Sequence, residues 1–274
     1  MAALNILTFG ASRNIGYFSA VRLLEKGATV TFLLRSPAVF DEDKLIQGYV
    51  KSGNARLVKG DATNEVDTRR AWDAAGVVDA VIFSVGATQR SFHIFKGIVV
   101  EPYNVVTQCI MSILCTMPTY ADAPQPRFIA ISSIGLTPSA HAALPLLIKP
   151  VYSMLESPHR DKLGLERTLA HCAGWTWTDK EPTADIMGEE WMQRKGLPAP
   201  GALEQVLVIR PALLTDGKCV ADQVAAKGKG KSYRASAEEL GGYIVSRKDV
   251  AHFVVDALAR WDEFGNKRVV NVGY

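Results

Sequence analysis

The stretch Leu4-Asn5-Ile6-Leu7-Thr8-Phe9-Gly10-Ala11-Ser12-Arg13-Asn14-Ile15-Gly16 decides how the rest of the chain is read. A short apolar run stopped by a glycine has the pattern of a buried strand. From Ile15 the spacing becomes helical, with Phe18, Val21, Arg22 and Leu24 placed to pack on one face. A strand that turns sharply into a helix aims the helix's free N–H groups and positive dipole end at one point, which suits a phosphate. Gly10 allows the tight turn, and Gly16 lets helix and strand pack closely. Arg13 stands where a G-x-x-G-x-x-G spacing has its middle glycine. Taken alone, the stretch also fits an ordinary strand–turn–helix junction.

The chain has 274 residues, enough for one large or two small domains and for a sizeable core. Its 48% apolar and 22% charged residues, without biased tracts, are those of a globular protein. A net charge of +3 is too small to argue for nucleic acid. The densest basic run, Lys227-Gly228-Lys229-Gly230-Lys231, is short and glycine-spaced, as in a solvated loop. Cys109, Cys115, Cys172 and Cys219 have neither metal nor redox spacing, and the first two read as small core residues. The opening residues show no charged-then-apolar signal pattern, and no apolar run approaches a membrane span. The expectation is a cytoplasmic monomer or homodimer with a small-molecule substrate and no nucleic-acid or membrane partner.

Outward from the opening stretch, strand-like runs alternate with helical ones. The strands are expected at Leu4–Phe9, Thr29–Leu34, Ala55–Val58, Ala80–Phe83 and Phe128–Ile131, with helices at Tyr17–Lys26, Pro37–Val50, Glu65–Ala75 and Pro102–Met117. Repetition of strand and helix builds a right-handed parallel sheet covered on both faces. The fold class is therefore α/β, a Rossmann-type doubly wound parallel sheet in a single domain over 1–274. Leu136–Pro158 reads as a loop over the sheet's carboxyl edge, followed by a helix at Arg160–Cys172 closed by Gly174. Residues 178–203, rich in prolines and charges, look like an insertion and are expected to form a lid. Val206–Ile209 and Arg268–Val272 complete the strands, and Ser246 caps a helix running to Arg260. A small C-terminal substrate-binding region is expected from 136–203 and 212–245.

Parallel strands deliver their last residues to one edge, so the strand ends are site candidates. Arg35, nineteen residues after Gly16, lies near where an acidic residue would bind the ribose 2′-hydroxyl of NAD. Arginine cannot accept from a hydroxyl but can pair with a 2′-phosphate. With Arg13 as a second cation the pattern favours NADP, unless both are plain surface residues. Asp61 and Ala62 end the third strand, where a carboxylate can reach an adenine amino group. Ser84-Val85-Gly86 ends the fourth, where glycine lets backbone approach the cofactor. Ser133, after the fifth, either bonds a carbonyl under reduction or caps the loop.

As a set these positions resemble the short-chain dehydrogenase/reductase superfamily, and within it the atypical NmrA-like and flavin-reductase-like branch, with the look of its fungal members. The matching residues are Gly10–Gly16, Arg35, Gly60-Asp61-Ala62-Thr63, Ser84–Gly86 and Ser132-Ser133. Lys162 with Glu166, Val208–Gly217 and Ser246–Ala251 complete the set. The resemblance implies cofactor contacts at Gly10, Ser12, Arg13, Asn14, Ile15, Gly16, Arg35, Asp61, Ala62, Ser84, Val85, Gly86 and Lys162. It also implies a catalytic tyrosine four residues before a lysine that holds the ribose. Placing Lys162 on that lysine puts Pro158 on the tyrosine, so the family's proton donor is missing from its usual place. Tyr152, Ser133 and His159 are the substitutes considered, and Ser133, Tyr152 and Lys162 form the expected catalytic set. Phe92, Phe95, Tyr152, Trp175, Trp177 and Trp191 are the expected pocket walls, if they are not simply core. An NADPH-dependent reductase of a quinone, flavin, enone or carbonyl is expected; the alternative is an NADP(H)-binding redox sensor of NmrA-like type without turnover.

Overall fold

The opening stretch forms strand β1 (Asn5–Phe9) and helix α1 (Asn14–Glu25), joined by a four-residue turn. The computed structural model describes residues 4–86, 89–93, 97–100, 102–136, 156–238, 240 and 243–274. After α1 come β2 (Thr29–Leu34), α2 (Lys44–Ser52), β3 (Ala55–Lys59), α3 (Glu65–Ala75), β4 (Ala80–Phe83), a hairpin of β5 (Gln89–His93) and β6 (Gly97–Val100), and α4 (Val105–Cys115). The second half runs β7 (Arg127–Ile131), α5 (Glu156–Cys172), the single turn α6 (Ala184–Met187), β8 (Val206–Pro211) and β9 (Leu213–Thr215). It ends with α7 (Val220–Lys227), β10 (Arg234–Ser236), β11 (Ile244–Ser246), α8 (Arg247–Ala259), α9 (Trp261–Phe264) and β12 (Val269–Gly273).

Eight strands make one sheet in the order β10-β12-β8-β7-β4-β1-β2-β3, parallel except where β10 runs against β12. The chain builds outward from β1 through β2 to β3, then crosses to β4 on the other side of β1. The connections leaving β1 and β4 therefore part, and a crevice opens between them at the carboxyl edge. Successive residues of each central strand bury into opposite layers. Ile6, Phe32, Ile82, Ile129 and Leu207 meet the layer of α1, α2 and α8. Leu7, Leu33, Val81, Phe128 and Val206 meet that of α3, α4 and α5. This is why the strands read as unbroken apolar runs without polar alternation.

Where one helix was expected over Pro37–Val50, a 3-10 turn (Pro37–Phe40) precedes α2. The break is chemical. The Asp43 carboxylate accepts from Leu45 N at 3.1 Å and Ile46 N at 3.0 Å, starting a new helix, and also accepts from the Tyr17 hydroxyl at 2.7 Å. Burial and Asp43 together push the Tyr17 phenol up to about 12. Asp43→Ala is expected to cost about 1 kcal/mol, read from the urea midpoint at unchanged m-value.

Residues 178–203, expected to form a lid, run as a strap along α5 and α4. The Arg167 guanidinium of α5 lies 5.6 Å from the Trp177 ring and 5.3 Å from the Trp191 ring, and its Nε donates to Glu181 at 2.8 Å. Ile186 and Met187 bury against Met111 of α4, while Arg194 pairs with Glu65 of α3 at 2.7 Å. Gly196, at φ 87°, lies against α4's end, where a Cβ would stand 2.6 Å from the Cys115 carbonyl oxygen. The strap's aromatics and charges thus find their partners on the outer helical layer. Trp175, Trp177 and Trp191, expected as pocket walls, each meet a guanidinium: Trp175 packs under Arg268, 5.8 Å from its guanidinium. The side chains of Phe92 and Phe95, and Tyr152, lie outside what the structure describes.

Candidate functional site at the carboxyl edge

Gly10 takes φ 82° at the end of β1, a left-handed value, and Asn14, a residue type that tolerates that region, takes 57° at the start of α1. A Cβ on Gly10 would stand 2.5 Å from Val85 N, so the turn lies flat against the residues that follow β4. One on Gly16 would stand 2.7 Å from Ala11 Cα and 2.9 Å from the Gly10 oxygen, and would also strike the Ser84 hydroxyl. That hydroxyl donates to Phe9 O at 3.2 Å, stapling β4's end to β1's; Ser84 is thereby used inside the protein. Ile15 is buried in the adjoining core, Ser12 is half-buried, and Arg13 and Asn14 are exposed.

The start of α1 differs from those of α2, α3, α4, α7 and α8. A side-chain acceptor caps α2 (Asp43), α3 (Asn64), α4 (Asp161), α7 (Asp249) and α8 (Ser246). Among the described residues no side chain is seen to cap α1. Among the described residues no internal anion meets its first N–H groups and dipole at the crevice, and such a helix start offers the donors that a pyrophosphate needs.

The register of β1 on β2 pairs Phe9 with Leu33, so Arg35 emerges beside the turn at residues 10–13. Arg35 is exposed and borders an open groove of about 850 Å3 with Leu57, Lys59, Asp61, Asp67 and Arg70. Arg70 is tied to Asp67 at 2.7 Å. Asp61 is partly spent on its own loop, since Oδ1 accepts from Thr63 N at 2.9 Å and from the Thr63 hydroxyl at 2.8 Å. Ala62 and Val85 pack on the α3–α5 core layer, and Gly86 is exposed with nothing within 4 Å of where a Cβ would point.

Beyond β7 lies a second, denser cluster. The Ser132 hydroxyl donates to Glu166 Oε1, and Arg210 at the end of β8 grips both oxygens of Glu166. Lys162, one turn before Glu166, donates from Nζ to the Ser132 carbonyl at 2.7 Å. Burial lowers its ammonium to about 8, against the opposing pull of Glu166 and Asp161. Asp161 faces away: its carboxylate accepts from Val106 N and Thr107 N, each at 2.8 Å, and so caps α4. Ser133 is half-buried, and no hydrogen bond of its hydroxyl is seen among the described residues. Pro158 and His159 lie in the first turn of α5. Lys162 and Glu166 entered through the family resemblance. Arg210 and Ser132 entered in the same way, and their partnership with Glu166 has no local sequence signal.

With this geometry in place, the comparison with known families is direct. A family model described as NAD(P)H-binding matches residues 10–182. The chain belongs to the NAD(P)H-binding family. It is 25% identical to Reductase pytE of Aspergillus terreus over 284 residues, covering 96% of each chain. Among solved structures it shares its fold with ChuY, an anaerobillin reductase from Escherichia coli O157:H7 (TM-score 0.59, 16% identity, 97% of this chain and 95% of that one). It is similar also to a short-chain dehydrogenase from Burkholderia cenocepacia J2315 in complex with NADP (TM-score 0.53, 16% identity, 93% and 90%). It shares that fold also with a short-chain type dehydrogenase/reductase from Mycobacterium ulcerans (TM-score 0.57, 18% identity, 99% of this chain and 89% of that one). Among its described residues no helix is long and apolar enough to cross a membrane, and no cluster of His, Cys, Asp or Glu is arranged to hold a metal ion.

Proposed function

We propose that this chain is an NADPH-dependent reductase that transfers hydride to a small organic acceptor: a quinone, flavin, enone or carbonyl compound. The carrying observation is the uncapped start of α1 at the tight Gly10–Gly16 turn, with Arg35 beside it in register. These residues fit a dinucleotide: backbone N–H groups for the pyrophosphate, and a guanidinium for a 2′-phosphate, which it binds with two parallel hydrogen bonds. The bound dihydronicotinamide supplies the hydride. Ser133 offers a hydroxyl to the acceptor's oxygen, Lys162 holds the ribose side of the site from α5, and the Ser132–Glu166–Arg210 cluster keeps the end of β7 in place. The aligned relative is itself named a reductase, which supports the same reading.

Fluorescence titration tests the cofactor. NADPH is expected to bind more tightly than NADH, and Arg35→Asp to weaken NADPH about 10- to 100-fold by removing charge-assisted hydrogen bonds. Equal affinity for the two cofactors overturns the assignment of Arg35. Pro158 at the tyrosine's usual place favours a second reading, a sensor that binds NADPH without turnover. NADPH oxidation screened against quinones, flavins, enones, aldehydes and ketones separates the two, since tight binding with complete silence selects the sensor.

A further inference from the structure

We propose that Arg70, on α3, determines cofactor choice together with Arg35 by holding the 2′-phosphate from a second side, a role that rests on the NADPH reading above. β3 is the edge strand of the sheet, and its Lys59 pairs with Leu34 of β2. Arg35 and Gly60 therefore leave neighbouring strands side by side, and the groove of about 850 Å3 opens beside them. Arg70 borders this groove from α3, and its head is fixed there. Nη2 donates to Asp67 Oδ1 at 2.7 Å and also to the Lys59 carbonyl. Of its five N–H groups, the three on Nε and Nη1 meet no partner among the described residues. Arg35 shows no hydrogen bond or ion pair among the same residues.

Both carboxylates of the groove are already engaged. Asp67 Oδ2 accepts from Asp61 N at 2.8 Å, while Asp61 Oδ1 accepts from Thr63. Gly60 permits that packing, since a Cβ there would stand 2.8 Å from Asp67 Cβ. Arg35, Lys59 and Arg70 thus face Asp61 and Asp67, and one positive charge of the groove stays uncompensated. A 2′-phosphate, as a phosphate monoester, carries about −1.5 to −2 charges at neutral pH on three acceptor oxygens. One guanidinium meets two of those oxygens and leaves the third oxygen and part of the charge unanswered. Arg70 is suited to answer them because Asp67 and the Lys59 carbonyl already hold its planar head, so little freedom is lost on binding. Lys59 is less suited, since its ammonium is a point charge on a flexible stem and meets no partner among the described residues.

Binding without turnover tests this. In fluorescence titrations Arg70→Gln should weaken NADPH about tenfold and leave NADH within about twofold. 2′-AMP, which carries the phosphate without the nicotinamide, should displace NADPH from the wild type and do so about tenfold less well from the variant. 5′-AMP, which lacks that phosphate, should bind both proteins alike. Lys59→Gln should weaken NADPH by less than about threefold, as an exposed point charge does. Arg35→Gln and Arg70→Gln together should bind NADPH and NADH alike. The Arg70 side chain is 52% exposed, so its variants should fold, and the urea midpoint checks this. Arg70→Lys keeps a charge beside Asp67 without the planar head and should weaken NADPH about threefold, which serves if the Gln variant unfolds. Unchanged NADPH affinity in the Arg70 variants overturns the proposal. Equal weakening of NADPH and NADH also overturns it, because the groove and not the phosphate contact has then been lost. Either result, in a wild type that prefers NADPH, overturns this role alone, whereas a wild type that binds NADH as tightly overturns the NADPH reading with it.

Discussion

Gly10→Ala is expected to lower the unfolding free energy by about 2 to 5 kcal/mol, from a left-handed backbone made unfavourable for an L side chain and from overpacking. The second contribution is specific to this turn. The new methyl would stand 2.5 Å from Val85 N and 2.7 Å from Val85 Cα, and backbone cannot step aside as a flexible side chain can. Gly27→Ala isolates the first contribution. Gly27 has φ 85° but nothing within 4 Å of its Cβ position, so it should lose only about 1 to 2 kcal/mol. Urea denaturation of both variants decides the matter, and equal losses would mean that the crevice between β1 and β4 is not tight. NADPH binding of folded Gly10→Ala should also weaken, because relief of the clash pushes the turn away from the start of α1.

The second large effect is expected at Glu166. This carboxylate is 3% exposed and the Arg210 side chain 15%, so Glu166→Ala takes from a largely buried guanidinium the carboxylate that it grips at both oxygens. Breaking such a pair from one side costs about 3 to 5 kcal/mol. The Ser132 hydroxyl loses its acceptor in the same stroke. Glu166→Gln keeps oxygen toward both partners and should cost less, about 1 to 3 kcal/mol. Removing both charges, with Glu166→Leu and Arg210→Met together, should recover most of the loss because no ion is then buried. The thermal midpoints of these three variants form the test, and a Glu166→Ala loss below about 1 kcal/mol would show that water reaches Arg210 after all.

The fold was legible where its information is local. Ile6 and Leu7 face opposite layers, and the same holds along each central strand, so unbroken apolar runs announced a sheet covered on both sides. Gly10 and Gly16 were legible for the same reason, since a left-handed turn and a close backbone approach leave a mark in the residue type itself. The three-residue strands β9, β10 and β11 were not seen, being too short to carry a period. The split between the 3-10 turn and α2 was missed because Asp43 caps a helix through its own side chain, inside a stretch whose apolar spacing runs on unbroken.

By itself, then, the sequence determined the doubly wound sheet, the tight glycine turn and the arginine beside it, since strand period, glycine and register act over neighbouring residues. Tertiary structure alone decided what became of the strap and of the buried charges. Arg167 holds the strap on α5 between Trp177 and Trp191, and Glu166 joins Ser132 and Arg210, which stand 34 and 44 residues away. Such partners are chosen by which groups lose water together when the layers close, and nothing in the local pattern of the chain records that choice.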